Sequence, residues 1–463
     1  MLYSIVKHSA LEKTALRYDP EYYKPDNIKY YSRLLDFGSL PIGDFAFVTD
    51  GTHESIEFDE NSGILLVSAK SPKENYFDIS RLGYISIKQH KANPRTTLRE
   101  GDVVVSTVGT IGNCAVVTSE ILPANSDRHV GIIRIDEKIR PYYLSTFLLS
   151  KYGRFQTLRE ATGNVQLNLF VYKIKEILVA NASDKFQSGI ERLCVSAHKQ
   201  QIKSKTLHDD AVSLLLTEIG LADWRPGSQL FFIKNYSATQ QANRIDAEYF
   251  RPKYDQIVAA IKGYAGGWDV LGNLADIKKS VEVGSGEYLG EGIPFVRVSN
   301  LSPFEITEEK YISGGLYAEL KQHQPQRGEI LFSKDATPGI AHYLREKPAK
   351  MIPSGGVLRL LPKSNLVNND CLTLILNSLL VQEQINRDCG GSVILHWRPE
   401  QVKETLIPIL PEKVQAKIQQ KSAESHNLHK QSKRLLDCAR QAVEIAIEKG
   451  EKKALRWIER EAV

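Results

Sequence analysis

The stretch GDVVVSTVGTIG, residues 101–112, has the composition of a loop that could cradle phosphate with backbone N–H groups. Glycines bracket its second half, directly after a run of valines. The chemistry does not follow through. No GxxxxGK[ST] occurs in the chain, and GTIG lacks the lysine that would reach phosphates. The chain also reads GEILFSKDATPG at 328–339, 227 residues further on. There Ala336 stands in place of Gly109, and a proline falls where a cradling N–H would be needed. A dinucleotide site fails too, because no GxGxxG follows a strand.

Other chemistries are no better supplied. An amino-methyltransferase positions its target amine with an Asn/Asp-Pro-Pro-Tyr/Phe run, and Asp19-Pro20-Glu21-Tyr22 is only a superficial neighbour of it. A nuclease would pair a carboxylate with Glu-x-Lys. Asp59 with Ser68-Ala69-Lys70 comes nearest, without the middle acid. HExxH and GxSxG are absent. His53, His129, His342 and His396 are scattered and read as surface or polar-core residues. Cys114, Cys194, Cys371, Cys389 and Cys438 form no CxxC pair, so neither a zinc site nor a disulfide framework is indicated. The expectation is a chain with no active site, no metal and no cofactor of its own. The rival expectation is a self-contained DNA nuclease or methylase fragment whose site escapes motif reading.

The bulk properties agree with a soluble protein. At 463 residues the chain is too long for one compact core. Hydrophobic residues at 42% and charged residues at 25% argue against disorder. A net charge of +5 permits nucleic-acid binding without requiring it. The first residues lack a signal-peptide pattern, and apolar runs such as CLTLILNSLLV (371–381) are too short to span a bilayer. A cytoplasmic location without membrane association is expected.

The elements that must position any site are written twice. RYDPEYYKP (17–25) returns as RIDAEYFRP (244–252), GILLVSA (63–69) as GIPFVRV (292–298), and ATGNVQL (161–167) as CGGSVIL (389–395). The offset stays between 227 and 229 throughout, so the chain is a tandem duplication. The unit is far longer than a solenoid repeat. Each copy begins with short β-branched runs (101–105, 114–118 and 130–135; 329–332 and 357–361) between Gly, Pro, Asn and Asp clusters. A helix is predicted at 141–153, matched at 370–387.

The period then changes. Phe186, Leu193, Leu207 and Leu214 share one heptad position, with Ile190, Ala197 and Ala211 four residues on. Val414, Leu428, Leu435 and Ala442, then Ile418, Ala439 and Ala446, repeat the seam. Both stretches, 183–219 and 412–448, read as long helices that pair. The alternative is that each packs only on its own domain. Polar seam residues Gln200, Ser204, Lys421, Ser425 and Ser432 would weaken the pairing while fixing its register. At ~1.5 Å per residue such helices span about 50 Å. The fold class predicted is α+β: residues 1–182 a first domain, 183–219 a helix, 220–243 a connector without helical period, 244–411 a second domain, and 412–463 a second helix and tail.

Two domains, each followed by a long helix and without a catalytic motif, resemble the specificity subunit of type I restriction-modification enzymes. The likeness is carried by GDVVVSTVGTIG, GEILFSKDATPG and GIPFVRVSNL (292–301). It covers essentially the whole chain, and the first copy departs from it only in lacking the proline of GIPF. The resemblance implies two target recognition domains on double-stranded DNA, each reading one half of a split, asymmetric target. It implies an antiparallel coiled coil holding them at fixed separation. Two methyltransferase subunits carrying S-adenosylmethionine would bind around the helices, and a restriction and translocation subunit using ATP and Mg²⁺ would join to cleave.

Candidate DNA contacts are polar residues in the turn-rich parts of each copy, since Arg, Lys, Ser, Thr and Asn serve phosphates and Arg, Asn and Gln serve bases. In the first copy these are Thr49, His53, Lys70, Lys73, Arg95, Thr107, Thr110, Asn113 and Arg128. In the second they are Lys278, Lys279, Arg297, Asn300, Lys334 and Thr337. Each alone reads first as a solvated surface residue; it is as groups around the aligned loops that they point to DNA. Tyr22, Tyr23, Tyr249 and Phe250 could stack on bases, but their place in a repeated phrase favours shared packing.

Overall fold

A computed structural model of the chain describes residues 5–7, 11, 18, 20, 22–136, 138–163, 166–227, 231–389 and 395–461. Most of the N-terminal segment, including Arg17, Asp19 and Glu21 of the first repeated phrase, lies outside the described residues. So do Asn164 and Val165 of ATGNVQL, the GGSVI of CGGSVIL, 228–230 of the connector, and 462–463.

The chain divides into two compact units, residues 1–201 with 430–463, and residues 202–429. In the first the strands are β1 (Ser39–Pro41), β2 (Ala46–Asp50), β3 (Leu65–Val67), β4 (Gly83–Tyr84), β5 (Val103–Ser106), β6 (Cys114–Val116), β7 (Ala124–Ser126), β8 (Val130–Ile135) and β9 (Leu178–Ala180). They form sheets ordered β2-β8-β5-β6, β4-β3-β7 and β1-β9. In the second the strands are β10 (Trp268–Val270), β11 (Ala275–Lys278), β12 (Ile293–Val296), β13 (Tyr311–Ile312), β14 (Ile330–Ser333), β15 (Ala341–Tyr343), β16 (Ile352–Pro353), β17 (Val357–Pro362) and β18 (Leu406–Pro408). Their sheets are β11-β17-β14-β15, β13-β12-β16 and β10-β18, the same three orders.

The duplication extends to single residue pairs. Val103 faces Val116 and Ile133; their counterparts 227 residues on, Ile330, Tyr343 and Leu360, face one another in the same way. The valine run becomes a strand because both its faces are covered. Val103 and Val105 join the core beneath the helices, while Val104 joins a second core with Val130 and Ile132. Ile330 and Phe332, against Leu331, repeat the division.

The single helix predicted at 141–153 is two helices, Pro141–Leu149 and Lys151–Glu160, and its counterpart is Asn369–Asn377 and Leu379–Asp388. A serine stands at each break. Ser150 donates its hydroxyl to the Phe147 carbonyl at 2.6 Å, and Ser378 to that of Ile375 at 2.7 Å. Such local bonds compete with the helical ladder, and the apolar periodicity does not reveal them. A short helix, Tyr236–Ala242, forms in the connector, and the C-terminal segment is a helix, Glu451–Glu461. The repeated aromatics are packing residues. Tyr22 and Tyr23 meet edge to face at 4.9 Å with Arg159 over Tyr22, as Tyr249 and Phe250 do with Arg244 over Tyr249.

The long helices are Asp184–Glu218 and Glu412–Lys449. In the first unit Phe186, Ile190, Leu193 and Ala197 share a core with Leu435, Ala439, Ala442 and Ala446. In the second, the Ser204 and Ser425 hydroxyls each donate to the other's carbonyl at 2.7 Å. Lys421 reaches Asp210 at 2.7 Å and Lys203 reaches Glu424 at 2.8 Å. Partners rise along one helix as they fall along the other, so the pairing is antiparallel. The small seam serines bring the two backbones together and satisfy one another, which fixes the register.

Two histidines make the second unit acid-sensitive. His342 on β15 is buried, its Nδ1 3.0 Å from the Ser302 carbonyl, and His208 packs edge to face on Phe304. Burial holds both imidazoles below their ordinary pKa, against weaker opposing contacts from the Ser302 carbonyl and Asp209. A depressed folded pKa stabilises above the unfolded value and is lost as pH falls. Urea midpoints are therefore expected to drop as pH falls below about 6.5, and His342→Ala, which copies Ala115 of the first unit, to flatten that slope.

Candidate nucleic-acid interface

The GDVVVSTVGTIG segment is β5 and the turn into β6, and the N–H groups that flank its turn are bonded internally. Ser106 N–H donates to Asn113 O at 2.7 Å, Gly112 N–H to Ser106 O at 3.0 Å and Thr107 N–H to His129 O at 3.0 Å, while Thr107 O accepts from Leu169 N–H at 2.9 Å. The second copy repeats the set. Ser333 donates to Ile340, Gly339 to Ser333 and Lys334 to Gly356, and Lys334 O accepts from Trp397, all at 2.9 Å. What the segment provides is a rigid frame.

Gly112 and Gly339 have φ of +82° and +96°. A Cβ would sit 2.6 Å from Thr157 Oγ1 at the first and 2.4 Å from Ile385 Cδ1 at the second. Gly109 has φ +73°, and Ala336, in its place, keeps the left-handed turn at +58°. Nothing lies within 4 Å of a Cβ at Gly109, so only the backbone conformation is costly there. Gly109→Ala is expected to destabilise by about 0.5–1 kcal/mol, and Ala336→Gly to be neutral or stabilising by a similar amount, as read from urea unfolding.

The candidate residues gather at one end of each sheet, where β2 and β5 finish and β8 begins. Thr52 bridges Asp127, and Gly51 approaches so closely that a Cβ would lie 2.1 Å from the Asp127 carbonyl. Thr49, His53, Arg95, Thr107 and Arg128 lie at this end. Ser106 Oγ, bonded to Ala69 O at 2.8 Å, brings Lys70 to it as well. The second unit matches it with Val281 bridging Ser354, and with Lys278 ending β11, Lys279 after it, Arg297 after β12 and Lys334 after β14.

Within these ends the side chains are unequally available. Lys70, Arg128, Lys278 and Lys279 are exposed. Thr49 and Thr107 are buried. Arg95 bonds Thr49 and lies 3.0 Å from Asp50, which also takes a 2.7 Å contact from His53. Burial opposes ionisation of Asp50, but the His53 and Arg95 contacts outweigh it and hold its carboxyl below the usual range. Arg297 pairs with Glu309 at 2.5 Å and Lys334 pairs with Asp335.

Five candidates stand apart from the sheet ends or are spent in the fold. Asn113 accepts from Arg154 at 2.7 Å, buried Asn300 accepts the Arg297 N–H at 3.1 Å, and Lys73 faces Asp78 at 3.9 Å. Thr110 is exposed in the β5–β6 turn, and its counterpart Thr337 is exposed with its carbonyl taken by Ser333. Sequence reasoning missed the turn Asp127-Arg128-His129 as a unit. Its counterpart, Ser354-Gly355-Gly356, carries almost no side chain, and the 227-residue offset alone would have paired the two.

Residues 270–431 match the family described as "Type I restriction modification DNA specificity domain". That segment is a type I specificity domain. The family anticipated from the repeated phrases is the one found, and the first unit repeats the specificity domain's sheet orders strand for strand. A search of curated proteins finds no match. Among solved structures, the chain is similar to the type I restriction-modification S subunit from M. genitalium (12% identity, 91% of this chain and 95% of that one, TM-score 0.35). It is also similar to the HsdS subunit from Thermoanaerobacter tengcongensis (15%, 89% and 97%, 0.28). A third similar chain comes from a study of complex assembly and conformational transition of the type I R-M system (13%, 92% and 97%, 0.28).

Among the described residues no group of three or more His, Cys, Asp or Glu is placed to hold a metal ion, and no helix is long and apolar enough to cross a membrane. The five cysteines are buried, and burial pushes the thiols of Cys114, Cys194, Cys371 and Cys389 up to about 12. Such thiols are poor nucleophiles at neutral pH.

Proposed function

We propose that the chain is the DNA sequence-specificity subunit of a type I restriction-modification complex and performs no chemistry itself. Each unit reads one half of a bipartite, asymmetric target through its sheet end, and the paired helices set the spacing and dock two methyltransferase subunits. S-adenosylmethionine belongs to those partners, ATP and Mg²⁺ to a restriction and translocation subunit, and the complex works in the cytoplasm. The observation that carries this reading is the backbone frame built twice in one register while displaying different side chains: Arg128 and His129 against Gly355 and Gly356. Identical frames with different faces suit two readers of two different sequences. Arg95, His53 and Arg128 in the first unit, and Lys278, Lys279, Arg297 and Lys334 in the second, are the proposed contacts; the exposed lysines serve phosphates.

The test is co-expression with a candidate methyltransferase and mapping of adenine methylation on plasmid DNA. A single bipartite sequence should be modified. A complex that forms and modifies no bipartite sequence defeats the main claim, and turnover of DNA by the isolated chain with Mg²⁺ defeats the non-catalytic one.

A further inference from the structure

We propose that Phe170 and Tyr172 form an aromatic wedge with which the first unit contacts stacked bases of duplex DNA. This rests on the reading above and adds to it a residue pair that motif reasoning passes over. The two rings stack at 5.9 Å with an interplanar angle of 15°. They are 49% and 57% exposed, and neighbouring Leu167 is 46% exposed. Three large apolar side chains within six residues form a ridge, which is unlike the single exposed apolar residues of ordinary surfaces.

The backbone ties the ridge to the reading frame. Leu169 N–H donates to Thr107 O, and Asn168 bridges Val108, so Phe170 is the next residue after a fixed contact with the loop. Lys70 and Arg128, both exposed, belong to the same sheet end, and exposed Lys175 follows on the same short helix, Val171–Glu176. An apolar ridge set among cations matches a phosphate-flanked base stack better than an apolar protein surface.

The second unit identifies what the position displays. Trp397 N–H donates to Lys334 O as Leu169 does to Thr107, and a short helix again begins two residues later, at Pro399. Phe170 therefore corresponds to Arg398, exposed, and Tyr172 to Glu400. Within a DNA specificity domain the ridge carries a cation and an anion, Arg398 and Glu400; in the first unit it carries two rings. The two halves would then read by different physics, stacking in one and charge in the other.

The probe is a duplex containing the sequence located by methylation mapping, with 2-aminopurine placed at successive positions of one half. It is bound by the full chain in complex with its methyltransferase. The native complex should raise the fluorescence several-fold at one base step of the half-site read by the first unit. Phe170→Ala/Tyr172→Ala should abolish that rise and weaken binding by about ten- to a hundredfold, with the salt slope unchanged because no phosphate contact is lost. Arg128→Ala should instead lower the slope by about 1, and Tyr172→Phe should behave as native. Unchanged thermal unfolding of the double variant separates loss of contact from loss of fold. If the native complex binds no DNA, the specificity-subunit reading itself fails. If it binds and the double variant matches it in affinity and fluorescence, the wedge is refuted. If the double variant keeps its DNA affinity but no longer co-purifies with the methyltransferase, the ridge belongs to the protein partner, which also overturns the proposal.

Discussion

Arg359→Leu is expected to destabilise the second unit by about 3–5 kcal/mol, because it leaves Glu329 charged and buried. The guanidinium meets both carboxylate oxygens of Glu329 at 2.7 Å, with the two side chains 6% and 7% exposed. Its third contact, at 3.0 Å, is the Gln322 carbonyl. A double variant, Glu329→Gln/Arg359→Met, should recover most of the loss, since a buried pair replaced by neutral residues of similar volume is often near neutral. Urea unfolding of the two variants checks both statements. If the single and double variants lose equally, packing around Arg359 and not the stranded charge sets the cost.

The first unit meets the same problem with a different residue. Its acid is Asp102, at the position of Glu329, and its partner is Arg134 at 3.3 Å. On β8, Arg134 stands two residues beyond Ile132, the position of Arg359, and so on the same face of the strand. The shorter Asp takes the cation next to it across the strands, whereas the longer Glu reaches diagonally. The acid recurs in GDVVVS and GEILFS, although the sequence reading did not single it out. The arginine does not recur, because its place moves by one turn of the pleat between copies.

That contrast marks what a single sequence reveals. The tandem plan, the β-branched strands and the two long apolar seams rest on local period and on repetition, and each is present in the structure. The register of the duplication is visible too, since an offset that holds within two residues forces the same pairs to face one another. The serine breaks at 150 and 378 are set by single side-chain bonds that leave no periodic trace. The interface was half legible. Gly101, Ser106 and Gly112 recur as Gly328, Ser333 and Gly339 and belong to the frame. Thr49, Asn113 and Asn300 have the chemistry of DNA-binding residues, but burial or an internal partner takes their polar groups. Phe170 and Tyr172 have the chemistry of core residues and are exposed. Residue type alone could not separate these cases, because the deciding quantity is what the folded chain leaves uncovered.

Exchange of residues 38–180 for the corresponding block of another specificity domain is expected to change one half of the recognised sequence and leave the other half intact. The block is closed at its base. Ser39 pairs with Ala180, Ile42 N–H donates to Ile177 O at 2.9 Å, and Asn181 N–H donates to Gly38 O at 2.9 Å, so chain entry and exit lie side by side. Trp268 and Pro408 make the same closure in the second unit. The incoming block must still satisfy what remains outside it. Tyr30 packs on Tyr152 at 5.4 Å and on Phe155 at 5.6 Å. Lys151 reaches Glu448 at 2.5 Å, and Tyr152 donates its hydroxyl to Glu448 at 3.3 Å. A donor that keeps lysine, tyrosine and phenylalanine at 151, 152 and 155 should fold onto the helices as the native block does, whereas one lacking them should need helix Pro25–Phe37 exchanged with it. Each mismatched base pair costs about 1–3 kcal/mol, so two mismatches in the exchanged half should reduce preference for the old target by roughly 30-fold to 10⁴-fold. Methylation mapping reads the outcome directly. A change in both halves would mean that the units do not read independently, and an unchanged target would mean that reading lies outside residues 38–180.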